Sequence, residues 1–158
     1  MNAAQTRVGF SFMPSDAVLK TMNTIHRTLL KLSGGKVGWN AGGMKVLDLT
    51  TTGRKSGTAR SVMLTSPVQV GPAFVVVASR GGDDQHPAWF LNLQADPTVK
   101  VAMKGAAAVT MHARVATKAE RADLWPKVVA VGKNYAGYQR KTQREIPLVL
   151  LEPVKAPG

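Results

Sequence analysis

Two strand-like runs joined by a short basic turn constrain the fold of this chain more than any other feature of its sequence. Both runs, Met44–Thr52 and Thr58–Val70, are rich in apolar and β-branched residues, as strands are. Only Gly53–Gly57 separates them, and so short a connection joins antiparallel neighbours, because parallel strands need a long crossover. Pro67 has no donor for the ladder and predicts a bend or an edge in the second run. We therefore expect an antiparallel sheet built around this hairpin.

The rest of the chain alternates short apolar runs with turns, and few of the predicted strands are separated by a helix. An apolar stripe predicts a basic amphipathic helix over Asp16–Ser33. A capping box at Thr117 and Glu120 starts a later helix, which Pro126 is expected to kink or interrupt. No element is predicted over residues 132–145, which show no clear period. The remaining predictions are strands at Ala73–Ser79, Thr98–Met103, Val109–Ala116 and Ile146–Leu151, and a short helix at Pro87–Ala95.

This order of elements predicts an α+β fold, a small antiparallel β-barrel with helices packed outside. The 158 residues suffice for one domain. We expect a flexible arm over residues 1–13 and a single domain over residues 14–153. There is no cysteine, which excludes disulfides, thiolate metal sites and a cysteine nucleophile, and which fits a reducing compartment such as the cytoplasm.

Positive charge is both large and clustered. The formal net charge is +12, and residues 17–47 hold five cations and no acid. Residues 49–82 hold four more cations, again with no acid: Arg54, Lys55, Arg60 and Arg80. Such a surface attracts nucleic acid, anionic lipid or a polyanionic ligand. The basic helix Asp16–Ser33 either packs its stripe on the core or touches an anionic membrane from the inner face.

Side chains for unaided catalysis are scarce. The sequence has no G-x-S-x-G motif, no Walker or dinucleotide-binding glycine motif, and three histidines without metal-ligand spacing. Any chemistry should therefore come from a bound cofactor. Two turns are suited to bind a cofactor. The first is the basic hairpin Gly53–Arg60. The second is Ala78-Ser79-Arg80-Gly81-Gly82, which follows a buried strand and whose backbone N–H groups can approach an anion. Tyr135 and Tyr138 provide phenols that stack on a planar substrate or donate a proton.

Several short motifs follow one another along the chain in a characteristic order and spacing. The motifs are Thr50-Thr51-Thr52-Gly53-Arg54-Lys55-Ser56-Gly57, Arg60, Ala78-Ser79-Arg80-Gly81-Gly82, Pro87-x-Trp89-Phe90-Leu91-Asn92-Leu93, Asp96-Pro97-x-Val99, Ile146-Pro147-x-Val149 and Glu152-Pro153. Together they resemble the deazaflavin (coenzyme F420)-dependent nitroreductase family of actinobacteria, which includes F420H2-dependent quinone and nitro reductases. The resemblance implies a split β-barrel like that of flavin reductases. It also implies hydride transfer from reduced F420 to a quinone, a nitroaromatic or an activated alkene.

The resemblance also implies roles for particular residues. The coenzyme ends in a phosphate and a chain of glutamates, and the cations of the hairpin match the family's basic groove. The backbone of the second turn would approach the phosphate or the ring, and one helix would border the deazaflavin. Tyr135 and Tyr138 would line the substrate pocket. Separately, we expect a tyrosine or water to deliver the proton, with Tyr135 the first choice and Tyr138 the second. The implied cofactor-binding residues are Gly53, Arg54, Lys55, Arg60, Ala78, Ser79, Arg80, Gly81, Gly82, Trp89 and Asn92.

One strand departs from the family pattern. In the nitroreductase branch an Asn-Pro pair and a tyrosine follow the position of Arg60, whereas here the chain reads Ser61-Val62-Met63-Leu64-Thr65. Two alternatives stay open: a flavin mononucleotide reductase or oxidase on the same barrel, and a basic nucleic-acid-binding barrel without catalysis. Few aromatic residues lie beside the basic clusters, which disfavours base stacking, so we expect no nucleic acid partner. The expected assembly is a monomer or a weak homodimer.

Overall fold

A computed structural model describes residues 40–41, 43–103 and 105–154 of the chain. The predicted helix Asp16–Ser33 and the arm over residues 1–13 lie outside the described residues, and so does the predicted membrane contact of that helix. Within the described ranges, no helix combines the length and apolarity needed to cross a membrane.

In the described part of the chain eight strands form one sheet, and every pairing between them is antiparallel. The strands are β1 (Asn40–Ala41), β2 (Met44–Thr52), β3 (Ala59–Ser66), β4 (Val68–Val70), β5 (Ala73–Val77), β6 (Thr98–Ala102), β7 (Val109–Val115) and β8 (Leu148–Pro153). The helices are a 3-10 turn at Arg80–Gly82, α1 (Ala88–Ala95), α2 (Lys118–Val131) and α3 (Asn134–Lys141). The strand order is β3-β2-β6-β7-β8-β5-β4, and β1 pairs with the start of β2.

The sheet curls so that its two ends meet. The two end strands of the order, β3 and β4, are consecutive in the chain and are separated only by Pro67, which breaks the ladder as predicted. The Ser66 hydroxyl donates to the carbonyl oxygens of Val75 in β5 (2.8 Å) and Val68 in β4 (3.1 Å). The hydrogen bond to Val75 ties β3 back to β5 where the two ends of the sheet meet. The fold is therefore the predicted α+β split barrel.

The core lies on both faces of the strands β5 and β8. One cluster packs Val76 and Val149 with Phe90 and Leu93 of α1, inside the curl of the sheet. The other packs neighbouring residues of the same two strands under α2, where Leu124 and Val128 are buried. Successive strand residues point to opposite faces, so the apolar run Ala73–Val77 is buried on both sides, as its composition predicts.

Two local expectations differ from the structure. The α2 helix runs unbroken from Lys118 to Val131, so the predicted interruption at Pro126 is wrong. Pro126 is exposed, and Ala122, whose carbonyl it leaves without an intrahelical donor, is exposed too, so water hydrates that carbonyl. The α3 helix was not predicted because it lacks an apolar stripe and has no fully buried residue.

The start of α2 is held by a charged cluster that also anchors β8. The capping box is present: the Thr117 hydroxyl accepts from the Glu120 amide (3.2 Å) and the Glu120 carboxylate accepts from the Thr117 amide (3.0 Å). Arg114 in β7 donates to both Glu120 oxygens (2.7 and 2.9 Å) and to Glu152 (2.6 Å). The hydrogen bonds from Arg114 are the main reason that the pKa of Glu120 falls from 4.5 to about 2.

This cluster predicts acid sensitivity. Because the pKa of Glu120 is lower in the folded state, its contribution to stability is complete above pH 4.5 and is lost as the pH falls toward about 2. Glu120→Gln keeps a capping-box side chain but removes the charge. We expect this variant to be less stable than the wild type at neutral pH and to lose less stability on acidification. Urea unfolding at several pH values measures this, and parallel pH profiles of the two proteins would contradict it.

Candidate functional site

The basic hairpin is a tight and well-defined loop. Its ends are closed by the Gly53 amide donating to the Thr58 carbonyl and by the Gly57 amide donating to the Gly53 carbonyl, both at 2.8 Å. Gly53 is buried, and a Cβ there would lie 2.6 Å from the Ser56 hydroxyl oxygen and 3.2 Å from the Thr58 carbonyl oxygen. A side chain at position 53 would therefore crowd the loop, and the exposed side chain of Lys55 projects from a hydrogen-bonded backbone.

A buried amide fixes the first cation of this loop. Asn92 of α1, only 5% exposed, accepts from the backbone amide of Arg54 (3.2 Å) and from its Nη1 (3.0 Å). Its Nδ2 donates to the Thr51 hydroxyl (3.2 Å). Within the described ranges no carboxylate forms an ion pair with Arg54, Lys55 or Arg60. A neutral partner orients the guanidinium and leaves its charge uncompensated, which suits an anionic ligand.

The second turn adopts a rare backbone conformation. Three consecutive residues have positive φ: Arg80 (45°), Gly81 (66°) and Gly82 (86°). The preceding Ser79 is 8% exposed. The Arg80 guanidinium lies 3.1 Å from the Asp83 carboxylate, so its charge is partly compensated, unlike the cations of the hairpin. A non-glycine residue held in this region is under strain and depends on its surroundings to stay there.

Arg144, which the sequence analysis did not identify, supplies those surroundings. Its Nε donates to the Asp83 carbonyl (2.8 Å), and its Nη2 to the Ser79 carbonyl (2.9 Å). Both Nη atoms lie 3.3 Å from the Ala78 carbonyl, and Nη1 lies 3.2 Å from Nδ1 of His86. Burial lowers the pKa of Arg144 and of His86, and Arg144 lowers the pKa of His86 further. Nothing local in the sequence marks Arg144, because the hydrogen-bond partners of its guanidinium lie 58 to 66 residues away in the chain.

The α3 helix lies directly on this turn. A Cβ on Gly82 would be 2.7 Å from the Tyr138 carbonyl oxygen and 3.0 Å from the Tyr138 Cα. The Thr142 hydroxyl donates to the Asp84 carboxylate (2.8 Å) just beyond the helix. The close approach that Gly82 permits in this structure is thus the approach of α3. The predicted contact of Gly82 with a cofactor stays a prediction.

Both predicted tyrosines line a pocket of about 580 Å³. Their rings meet edge to face, with centroids 6.2 Å apart and an angle of 76°. The Tyr135 hydroxyl is 2.8 Å from the Thr65 hydroxyl, and burial raises the pKa of Tyr135. Tyr138 lines the pocket and its backbone lies beside Gly82, so the pocket and the second turn adjoin. The lining residues are Met44, Thr65, Val131, Gly132, Lys133, Asn134, Tyr135 and Tyr138.

The predicted residues thus form two groups that α1 connects along the chain. The hairpin contacts α1 through Asn92, and the second turn leads into α1 and packs on α3. Trp89 of α1 is half-buried against the core and meets Phe90 edge to face at 6.3 Å. Arg60 is the second residue of β3 and lies opposite Thr51 of β2. No cluster of potential metal ligands occurs among the described residues.

Comparisons with known proteins agree with this arrangement. Residues 22–153 match the family model described as F420H(2)-dependent quinone reductase. An F420H(2)-dependent quinone reductase of Mycobacterium tuberculosis is 34% identical over 130 residues, which cover 80% of this chain and 87% of that protein. A solved F420-H2 dependent reductase is 39% identical with a TM-score of 0.61, covering 68% of this chain and 93% of that one. A solved domain-swapped dimer is 35% identical with a TM-score of 0.64, covering 84% and 99%.

The family match spans most of the chain, including both turns, α1 and both tyrosines. It confirms the expected enzyme class and the expected cofactor, reduced coenzyme F420. This chain is therefore a member of the F420H(2)-dependent quinone reductase family, and it is a reductase that uses reduced F420.

Proposed function

We propose that this reductase transfers a hydride from reduced F420 to a quinone that binds in the tyrosine-lined pocket. One observation carries the proposal. Within the described ranges no carboxylate pairs with the cations of the basic hairpin, the hairpin contacts α1 through Asn92, and the turn that leads into α1 packs on Tyr138 of the pocket of about 580 Å³. Nitroaromatics and activated alkenes are further acceptors that we propose for this pocket, because they too are flat molecules.

The described residues fit the coenzyme's charge. Reduced F420 is an extended polyanion, with a phosphate and a glutamate chain. Arg54 is held by the neutral amide of Asn92, and Lys55 and Arg60 are exposed without a carboxylate partner within the described ranges. Three cations within seven residues provide the strong, multidentate anion binding that such a tail needs. Ser79 and the turn after it would lie against the phosphate or the ring.

The bound coenzyme supplies the hydride, and this chain supplies placement and a proton. Met44 and Val131 provide apolar groups beside the two tyrosines, which suits a flat aromatic acceptor. Holding the acceptor about 3–3.5 Å from the reacting carbon would supply much of the rate enhancement. The Tyr135 phenol holds its proton at neutral pH, as a general acid must, and burial raises its pKa, which makes it a weaker acid unless its hydrogen bond to Thr65 offsets the effect. Tyr138 is the second candidate for this role.

The decisive binding experiment is a fluorescence titration of the purified protein with oxidised F420, with flavin mononucleotide in parallel. Saturable binding of the deazaflavin alone supports the proposal. Preference for flavin mononucleotide would move the activity to the alternative enzyme on the same barrel. Binding of neither, together with salt-sensitive binding to unrelated DNA, would favour the nucleic-acid alternative. Turnover with a soluble quinone then tests the acceptor.

Lys55→Ala is expected to weaken F420 binding roughly tenfold while changing turnover of the saturated enzyme by less than about twofold, because a charged contact is worth about 1–2 kcal/mol. Lys118→Ala is the matched control, since it removes an equal charge from an exposed site on α2. The binding titration and the rate at saturating coenzyme are measured for both. Equal affinities of the two variants would remove the hairpin from the binding site.

A further inference from the structure

We propose that Thr65 is a positioning residue that holds the phenol oxygen of Tyr135 at the wall of the pocket and stabilises the phenolate when the proton is transferred. The inference rests on the proposed function, since it assigns the group that assists proton delivery to the acceptor. Thr65 belongs to the strand segment that departs from the family pattern, so its role comes from the contacts in this structure.

Two rigid elements determine where the phenol oxygen of Tyr135 lies. Thr65 stands on β3 opposite Val46 of β2, and its hydroxyl oxygen is 2.8 Å from the Tyr135 hydroxyl oxygen. At the other end, the Tyr135 ring lies against the backbone of Gly132, where a Cβ would be only 2.3 Å from ring carbons Cδ2 and Cε2. The Tyr135 amide also donates to the Gly132 carbonyl (3.1 Å). The ring is therefore held on the side of Cδ2 and Cε2 and at its oxygen.

This arrangement fits proton transfer from Tyr135. A hydride brings two electrons to the quinone. One quinone oxygen then carries a negative charge and takes a proton. In our proposal the O–H bond of Tyr135 breaks, the new O–H bond forms on the acceptor, and the phenolate later regains a proton from solvent. A hydroxyl can donate to a phenolate and keep its own proton. Before proton transfer either hydroxyl can be the donor in the hydrogen bond between Thr65 and Tyr135. After the transfer the Thr65 hydroxyl is the donor and the Tyr135 phenolate is the acceptor.

The surroundings offer few other groups for this task. Among the described residues no carboxylate lines the pocket, and the only cationic lining residue is the exposed Lys133. Tyr138 meets Tyr135 through its ring, and its nearby phenol raises the pKa of Tyr135. The Thr65 hydroxyl acts in the opposite direction and lowers that pKa, while burial raises it most. Thr65 is the one hydroxyl in this lining that contacts the phenol oxygen of Tyr135.

The chain offers an unusually direct measurement, because it contains only two tyrosines. In a Tyr138→Phe background the near-ultraviolet absorbance of tyrosinate reports Tyr135 alone, without coenzyme. In that background Thr65→Val removes the hydroxyl and nearly preserves the shape, whereas Thr65→Ser keeps the hydroxyl. We expect Thr65→Val to raise the pKa of Tyr135 above that of the Tyr138→Phe parent and Thr65→Ser to leave it close to the parent. Circular dichroism at each pH confirms that the titration follows the folded protein.

The kinetic arm uses the full chain with reduced F420 and a soluble quinone. We expect Thr65→Val to lower kcat about tenfold with little change in KM, and Thr65→Ser to restore most of it. An unchanged tyrosinate titration, an unchanged kcat, or a serine variant no better than valine would each overturn the proposal. Absence of any F420H2-dependent turnover in the wild type would refute the proposed function instead. The titration would still report whether Thr65 tunes the Tyr135 phenol.

Discussion

Replacing Arg144 with alanine is expected to destabilise this protein by about 3–4 kcal/mol and to abolish measurable F420 binding. The guanidinium donates to the carbonyls of Ala78, Ser79 and Asp83, and hydrogen bonds that involve a charged group are worth about 1.5–3 kcal/mol each. Arg144 is only partly buried, so we expect the loss of stability in the variant to be well below the sum of the individual hydrogen-bond energies. Without it the strained turn at Arg80 loses the contacts that hold it.

Urea unfolding and the F420 titration test this prediction together. Arg144→Lys is the informative second variant: it keeps the positive charge but lacks the planar fork that reaches several carbonyls, so it should recover only part of the stability. Arg140→Ala, on the exposed face of α3, serves as the control and should change the stability by less than about 0.5 kcal/mol. A stable Arg144→Ala protein that binds F420 normally would show that the turn does not depend on Arg144.

Replacing Gly82 with alanine is expected to cost about 3 kcal/mol or more and to disturb both the second turn and the tyrosine pocket. Two penalties combine at this position. The backbone has φ of 86°, where an L side chain costs about 1–2 kcal/mol. The new Cβ would also lie 2.7 Å from the Tyr138 carbonyl oxygen, and because that atom is backbone, the whole α3 helix has to shift. Overpacking of this kind typically costs about 1–3 kcal/mol more.

The chain contains a matched control that separates the two penalties. Gly105 also has positive φ, at 66°, but a Cβ there would meet nothing within 4 Å. Gly105→Ala should therefore lose only about 1–2 kcal/mol and keep its coenzyme affinity. Thermal or urea unfolding of both variants gives the difference due to the contact with α3. Equal losses in the two variants would mean that α3 moves freely away from the turn.

Much of the barrel follows from local sequence patterns. The β2 strand has the bounds that its residues predict, Met44–Thr52, and Pro67 separates β3 from β4 because proline cannot donate to a ladder. The apolar run predicts a strand buried on both faces over Ala73–Ser79, and the structure places the strand Ala73–Val77 between two core clusters. Residue type and spacing suffice in these cases because each signal acts within one element.

The α3 helix shows where local patterns fail. It has no apolar stripe and no fully buried residue, so no periodicity marks it, and Gly137 within it lowers its helix propensity. The Gln139 side chain bonds the backbone on both sides of Glu145, accepting from the Ile146 amide (2.9 Å) and donating to the Arg144 carbonyl (2.8 Å). Packing on Gly82 and these hydrogen bonds hold the helix in place.

The sequence by itself determined the strand pattern, the antiparallel hairpin, the cluster of cations and, through the spacing of short motifs, the family. Only the tertiary structure decided that Asn92 orients Arg54, that Arg144 holds the second turn, and that Thr65 meets Tyr135. The reason is physical. Propensity and periodicity act over a few residues, whereas these contacts join groups that are 38, 65 and 70 residues apart in the chain and meet only after the sheet has curled.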